Sequence, residues 1–122
     1  MEKERFEELV EAAVENLPMH LKEEIENVAI LVEDWPTHAQ LESVGMSRKQ
    51  DLLGLYEGIP LTKRTRGYQM VLPDKITIFQ KPIEMRYHSE QQIIKRLERT
   101  VWHEIAHYFG ISDDRLREMG RY

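Results

Sequence analysis

The sequence predicts an α+β fold: a small mixed sheet with an edge strand, packed between an N-terminal helix and a long C-terminal helix. Three observations predict it. Apolar residues recur at helical spacing near both ends of the chain, short strand-like apolar runs occupy the middle, and prolines and glycines separate those runs. The chain has 122 residues, which sets the expectation of one domain spanning 1–122. A chain of this size can bury roughly two thirds of its unfolded surface, enough for one core.

The elements follow in order. Over residues 3–17, Phe6, Leu9, Val10, Ala13, Val14 and Leu17 recur at helical spacing opposite an acidic face, and Pro18 stops the helix. Val28-Ala29-Ile30-Leu31-Val32 is a continuous apolar run and reads as a buried strand. Residues 36–50 fit a loop with one helical turn. Leu52 to Tyr56 reads as a second strand, which Gly58-Ile59-Pro60 breaks. Residues 61–72 are poorly patterned, with Gly67 a turn. Lys75 to Gln80 reads as a third strand, and Pro73 and Pro82 at its ends suit an edge position.

The strongest helix runs over about 90–109. Ser89 with Gln92 three residues on forms a capping box. Ile93, Ile94, Leu97, Val101, Ile105 and Tyr108 form its apolar face, and Gly110 stands where a left-handed C-cap would end it. A short helix over roughly 113–120 closes the chain.

Composition narrows the function classes. A net charge of −5 argues against general nucleic-acid binding, which needs a basic surface to neutralise phosphates. The one basic stretch, Lys63-Arg64-Thr65-Arg66, reads as a solvated turn. There is no cysteine, so disulfides and thiolate metal sites are excluded and any metal needs His, Asp or Glu. The N-terminus lacks signal-peptide character and no apolar run could span a membrane. The default expectation is a cytoplasmic protein.

The long helix carries His103-Glu104-Ile105-Ala106-His107. Histidines four apart lie one turn apart on the same helix face, so both imidazoles can meet one zinc ion at about 2.0–2.1 Å. They point away from the Ile93–Leu97–Val101–Ile105 face. Glu104 beside the first ligand stands where the general base for a metal-activated water belongs. A third ligand requires the helix to stop soon after His107, and Gly110 allows it. Three residues later comes Asp113, completing His103-x-x-x-His107-x-x-Gly110-x-x-Asp113. Asp114 competes with it for the ligand role, and both acids also suit the start of the last helix behind a Ser112 cap. His20, His38 and His88 read as surface residues, and Trp102 as packing.

His-Glu-x-x-His alone is only suggestive; Gly110 and Asp113 at their offsets make the string specific. The string resembles the extended zinc signature of the zincin metallopeptidases, in the glycine-containing form that metzincins share. The whole chain is similar in length and order of elements to the minimal zincins, small bacterial zinc metallopeptidases, and Leu52 to Leu61 resembles their central region. The resemblance implies Asp113 as third ligand and hydrolysis of peptide bonds in a peptide or protein substrate. It also implies an extended substrate paired on an edge strand, for which the third strand is the candidate. The chain departs from larger metzincins in having Asp as third ligand and only nine residues after it, so their C-terminal subdomain and Met-turn are missing; Met119 reads as packing. Two alternatives compete: a non-catalytic zinc-binding domain, and a protein-interaction domain using the acidic N-terminal helix.

Overall fold

Spacing and caps produce most of the helices where the sequence predicts them. In the computed structural model, residues 1–25, 28–58 and 74–108 are described, without the side chains of Glu24, His107 and Tyr108. Helix α1 spans Lys3–Glu15 and buries Phe6, Leu9, Val10 and Ala13. Helix α2, Met19–Glu24, starts just after Pro18, which suits a helix start because its missing N–H has no partner to lose there. Strand β1 is Val28–Glu33. Helix α3, His38–Ser43, is fixed by a capping box in which Thr37 accepts from the Gln40 N–H and Gln40 accepts from the Thr37 N–H. A 3₁₀ turn at Lys49–Asp51 leads into strand β2, Gly54–Glu57. Strand β3 is Asp74–Phe79, helix α4 is Gln80–Arg86 and helix α5 is Glu90–Tyr108.

The short helices α2 and α4 are not in the sequence reading. Pro82 explains the second omission. It does not bound an edge strand but sits in the first turn of α4, where a proline costs no helical hydrogen bond.

The sheet is mixed, with order β1-β3-β2. Strand β1 runs parallel to β3, with Val28 opposite Asp74 and Val32 opposite Ile78. Strand β2 runs antiparallel on the other side, with Gly54 opposite Ile78 and Tyr56 opposite Ile76. This corrects the edge assignment: the third strand is central. Its side chains show why. Ile76 and Ile78 are fully buried on one face and Thr77 and Phe79 on the other, so β3 is covered on both sides. Conversely β1, expected to be buried, pairs only with β3 among the described residues. Of its apolar run only Val32 is buried, and Leu31 is 42% exposed.

One face of the sheet carries the main core, where Ile76 and Ile78 meet Phe6 and Leu9 of α1 and Ile93, Leu97, Val101 and Ile105 of α5. Leu97 has no exposed surface, and full burial of such a side chain stabilises by about 1.5–3 kcal/mol. A second cluster, Leu41, Leu52, Leu55 and Phe79, covers the other face. At its N-terminus α5 has the expected cap: the Gln92 N–H donates to Ser89 Oγ at 3.1 Å, and Gln92 Oε1 accepts from the Ser89 N–H at 3.4 Å. Gly110 and the short helix expected over 113–120 lie outside the described residues. No helix among the described residues is long and apolar enough to cross a membrane.

Candidate metal centre

The last turns of α5 run beside β2, and a glycine brings them close. A Cβ on Gly54 would lie 2.6 Å from Thr100 Cγ2, well inside van der Waals contact, so only glycine allows this approach of strand to helix. The consequence appears one turn further along α5. The backbone N–H of Tyr56 donates to Glu104 Oε1 at 3.1 Å, which ties the carboxylate to the strand. The Tyr56 hydroxyl in turn donates to Asp74 Oδ2 at 2.9 Å, across to β3.

His103 and Glu104 are both half-buried and line one cavity of about 170 Å³, together with Gly54 and Leu53 of the β2 approach and Thr100 and Arg96 of α5. Arg86 and Asp51 close the cavity from α4 and the 3₁₀ turn, joined by an Arg86 Nη2 to Asp51 Oδ1 hydrogen bond of 3.2 Å. The structure thus brings the expected first ligand and the expected base to one open hollow. His107 follows His103 by one turn within α5, the spacing that lets two imidazoles share an ion; its side chain and Asp113 lie outside the described residues. Among the described residues no three His, Asp or Glu side chains form a metal-holding group. The donor chemistry nevertheless fits zinc: imidazole nitrogens from one helix face, a carboxylate a few residues on and no thiolate in the chain.

Three participants are absent from the sequence reading. The Tyr56 N–H on Glu104 is a backbone group and has no sequence signal. Arg96 and Thr100 do have one, since 96, 100, 103 and 107 follow at i, i+4, i+7 and i+11 and so share one helix face. Among the other histidines, His20, His38 and His88 are exposed; His38 pairs with Glu42 at 2.9 Å, and His20 meets the buried Trp102 edge-on at 6.3 Å.

Comparison with known protein families gives a match to the family described as zincin-like metallopeptidase, over residues 25–121. That span holds the three strands of the described residues, the α5 motif and the positions to Asp113 and beyond. Comparison with curated proteins gives no match.

Proposed function

Because the chain belongs to the zincin-like metallopeptidase family, we propose that it is a zinc-dependent peptidase in which His103, His107 and Asp113 hold the metal and Glu104 is the general base. The observation that carries this reading is the convergence of the His103 and Glu104 side chains on one cavity, with Glu104 anchored by the backbone of β2. A structural zinc site has no use for a carboxylate so held beside its first ligand. Zinc bound by this set would supply Lewis acidity to the substrate carbonyl and to the attacking water.

The protein's own part is proton handling and alignment. Glu104 accepts a proton from the water as its oxygen bonds to the carbonyl carbon, then delivers that proton to the amine nitrogen as the C–N bond breaks. The Tyr56 N–H limits the carboxylate's rotation, so little ordering remains for the transition state. The substrate strand is assigned to β2 rather than to the third strand, which has neighbours on both sides. Among the described residues β2 pairs only with β3, and it lies against the helix that carries the base. Backbone pairing along it would bind an extended peptide with little side-chain selectivity.

Glu104→Gln tests the reading. The amide is nearly isosteric and can still accept from Tyr56, but it cannot take a proton. Fold and zinc content should survive while peptide hydrolysis drops by roughly 10²–10⁴-fold, measured on a peptide library with wild type and variant carrying equal zinc. Undiminished cleavage by the variant would exclude Glu104 as base. No cleavage by the wild type would move the protein to the non-catalytic reading.

A further inference from the structure

We propose that the cavity beside His103 and Glu104 is a subsite for a carboxylate group of the substrate, with Arg96 and Thr100 as its donors. The identity of the ligand as part of a peptide rests on the peptidase reading; the anion-binding character rests on the cavity itself.

Two buried polar atoms carry the argument. Arg96 Nε and Thr100 Oγ1 are both buried, and among the described residues neither has a hydrogen-bond partner. Thr100 is only 6% exposed. A threonine within a helix commonly bonds back to the carbonyl four residues before it, and here it does not. Its methyl lies on the Gly54 side. Both residues line the same cavity and stand four apart on α5, so they are neighbours on one helix face. Buried donors are rarely left unpaired, because each loses its hydration without replacement. Both residues line one cavity, so an acceptor bound there is the group that can satisfy them.

Charge identifies the acceptor. The cavity's other arginine is already engaged, since Arg86 donates to Asp51 Oδ1 and to the Gln50 carbonyl. Asp51 is engaged in turn, with Arg86 and with Arg48. Arg96 has no such acid among the described residues. It also lines an adjoining hollow that holds Lys95 and Arg99 along with Glu98 and Tyr87. The cavity's other acid, Glu104, already accepts from the Tyr56 N–H, so the cation without an acid of its own among the described residues is the Arg96 guanidinium, whose planar fork suits a carboxylate. A volume of about 170 Å³ is about ten times the roughly 10–15 Å³ that a cavity needs to hold one water, so a carboxylate with part of its stem fits.

Position sets which carboxylate. Thr100 precedes His103 by three residues, a rise of about 4.5 Å along the helix, and one extended substrate residue spans about 3.3 Å. The carboxylate therefore belongs one or two residues from the scissile bond. It can be an acidic side chain or a chain-terminal carboxylate.

The test uses peptides of one core sequence, carrying Glu or Gln at each position flanking the cleaved bond and ending as free acid or amide. Binding is measured to the Glu104→Gln protein as purified, alone and with Arg96→Gln, Arg96→Lys or Thr100→Val added; cleavage is measured with the wild type. One carboxylate-bearing member should bind about tenfold tighter than its amide, the ordinary effect of a charge-assisted hydrogen bond, and Arg96→Gln should reduce that ratio to about twofold or less. Arg96→Lys should restore part of it, which a merely structural role for Arg96 would not predict. Thr100→Val, close to isosteric, guards against misfolding of the arginine variants. The Glu/Gln and acid/amide arms separate the two sources of the carboxylate. Equal binding of every pair, or a preference that persists in Arg96→Gln, overturns the inference and leaves a hollow that holds water. Wild-type failure to cleave with the preference intact overturns only the peptidase reading.

Discussion

The proposed zinc site depends on side chains that cannot be exchanged for one another. His103→Ala or His107→Ala should abolish a stoichiometry of about one zinc per chain, read by metal analysis of the purified variants, because two remaining ligands do not complete a tetrahedral site. Asp113→Ala should raise the zinc dissociation constant far more than Asp114→Ala; the opposite ranking would move the ligand by one residue. Binding should weaken at acid pH, since an imidazole must be neutral to ligate. A different residue governs the geometry of the proposed base, Glu104. Gly54→Ala places a methyl 2.6 Å from Thr100 Cγ2, and relieving that overlap should cost about 1–3 kcal/mol. Thr100→Ser removes the opposing methyl and keeps the hydroxyl, so the double variant should recover most of the loss in denaturant unfolding. A Gly54→Ala protein as stable as wild type would show that β2 and α5 are not held at this spacing.

Helix α5 combines two duties on opposite faces. Leu97, Val101 and Ile105 are buried in the core, while Arg96, Thr100 and His103 line the cavity. Its start is set by the Ser89–Gln92 cap, so Ser89→Ala should destabilise the protein by about 1 kcal/mol. Ser89 precedes His103 by 14 positions in the sequence, roughly 21 Å along the axis. The variant should therefore shift the unfolding midpoint and leave zinc affinity unchanged. A parallel loss of zinc affinity would mean that fraying at the cap reaches the metal end. The capping box and the apolar stripe were both legible in the sequence because each is a local pattern within a few turns.

Helix α1 lies outside the matched family span of 25–121, yet it covers the same core as α5. The two are also joined by Arg5, whose Nε and Nη2 donate to the Glu90 carboxylate at 2.8 and 2.6 Å. The Arg5 hydrogen bond holds the Glu90 carboxyl below its ordinary pKa. A depressed carboxyl contributes stability above the unfolded-state value and loses it as pH falls through the folded-state value. Comparing denaturant midpoints of wild type and Arg5→Ala across pH should thus show a small difference near neutrality that vanishes in acid. Because both side chains are about half exposed, added salt should shrink it too. A difference that grows on acidification would contradict the ion-pair account.

The order of the strands marks where local pattern stops being informative. Val28 to Val32 is the more apolar run and reads as buried, while Lys75 to Gln80 is bracketed by prolines and reads as an edge; among the described residues the sheet reverses them. Strand position depends on which segments pair and which faces the helices cover, and neither is encoded within five or six residues. The helices, their caps and the spacing of His103, Glu104 and His107 needed no such knowledge, because an α-helix converts sequence offsets directly into directions. The same reason explains why Tyr56 was invisible as the anchor of Glu104: residues 48 apart meet only after β2 has paired with β3 and Gly54 has admitted α5 to close contact. The ligand and base candidates were therefore written in the chain, and the way the Glu104 carboxylate is held was settled by the packing of strand against helix.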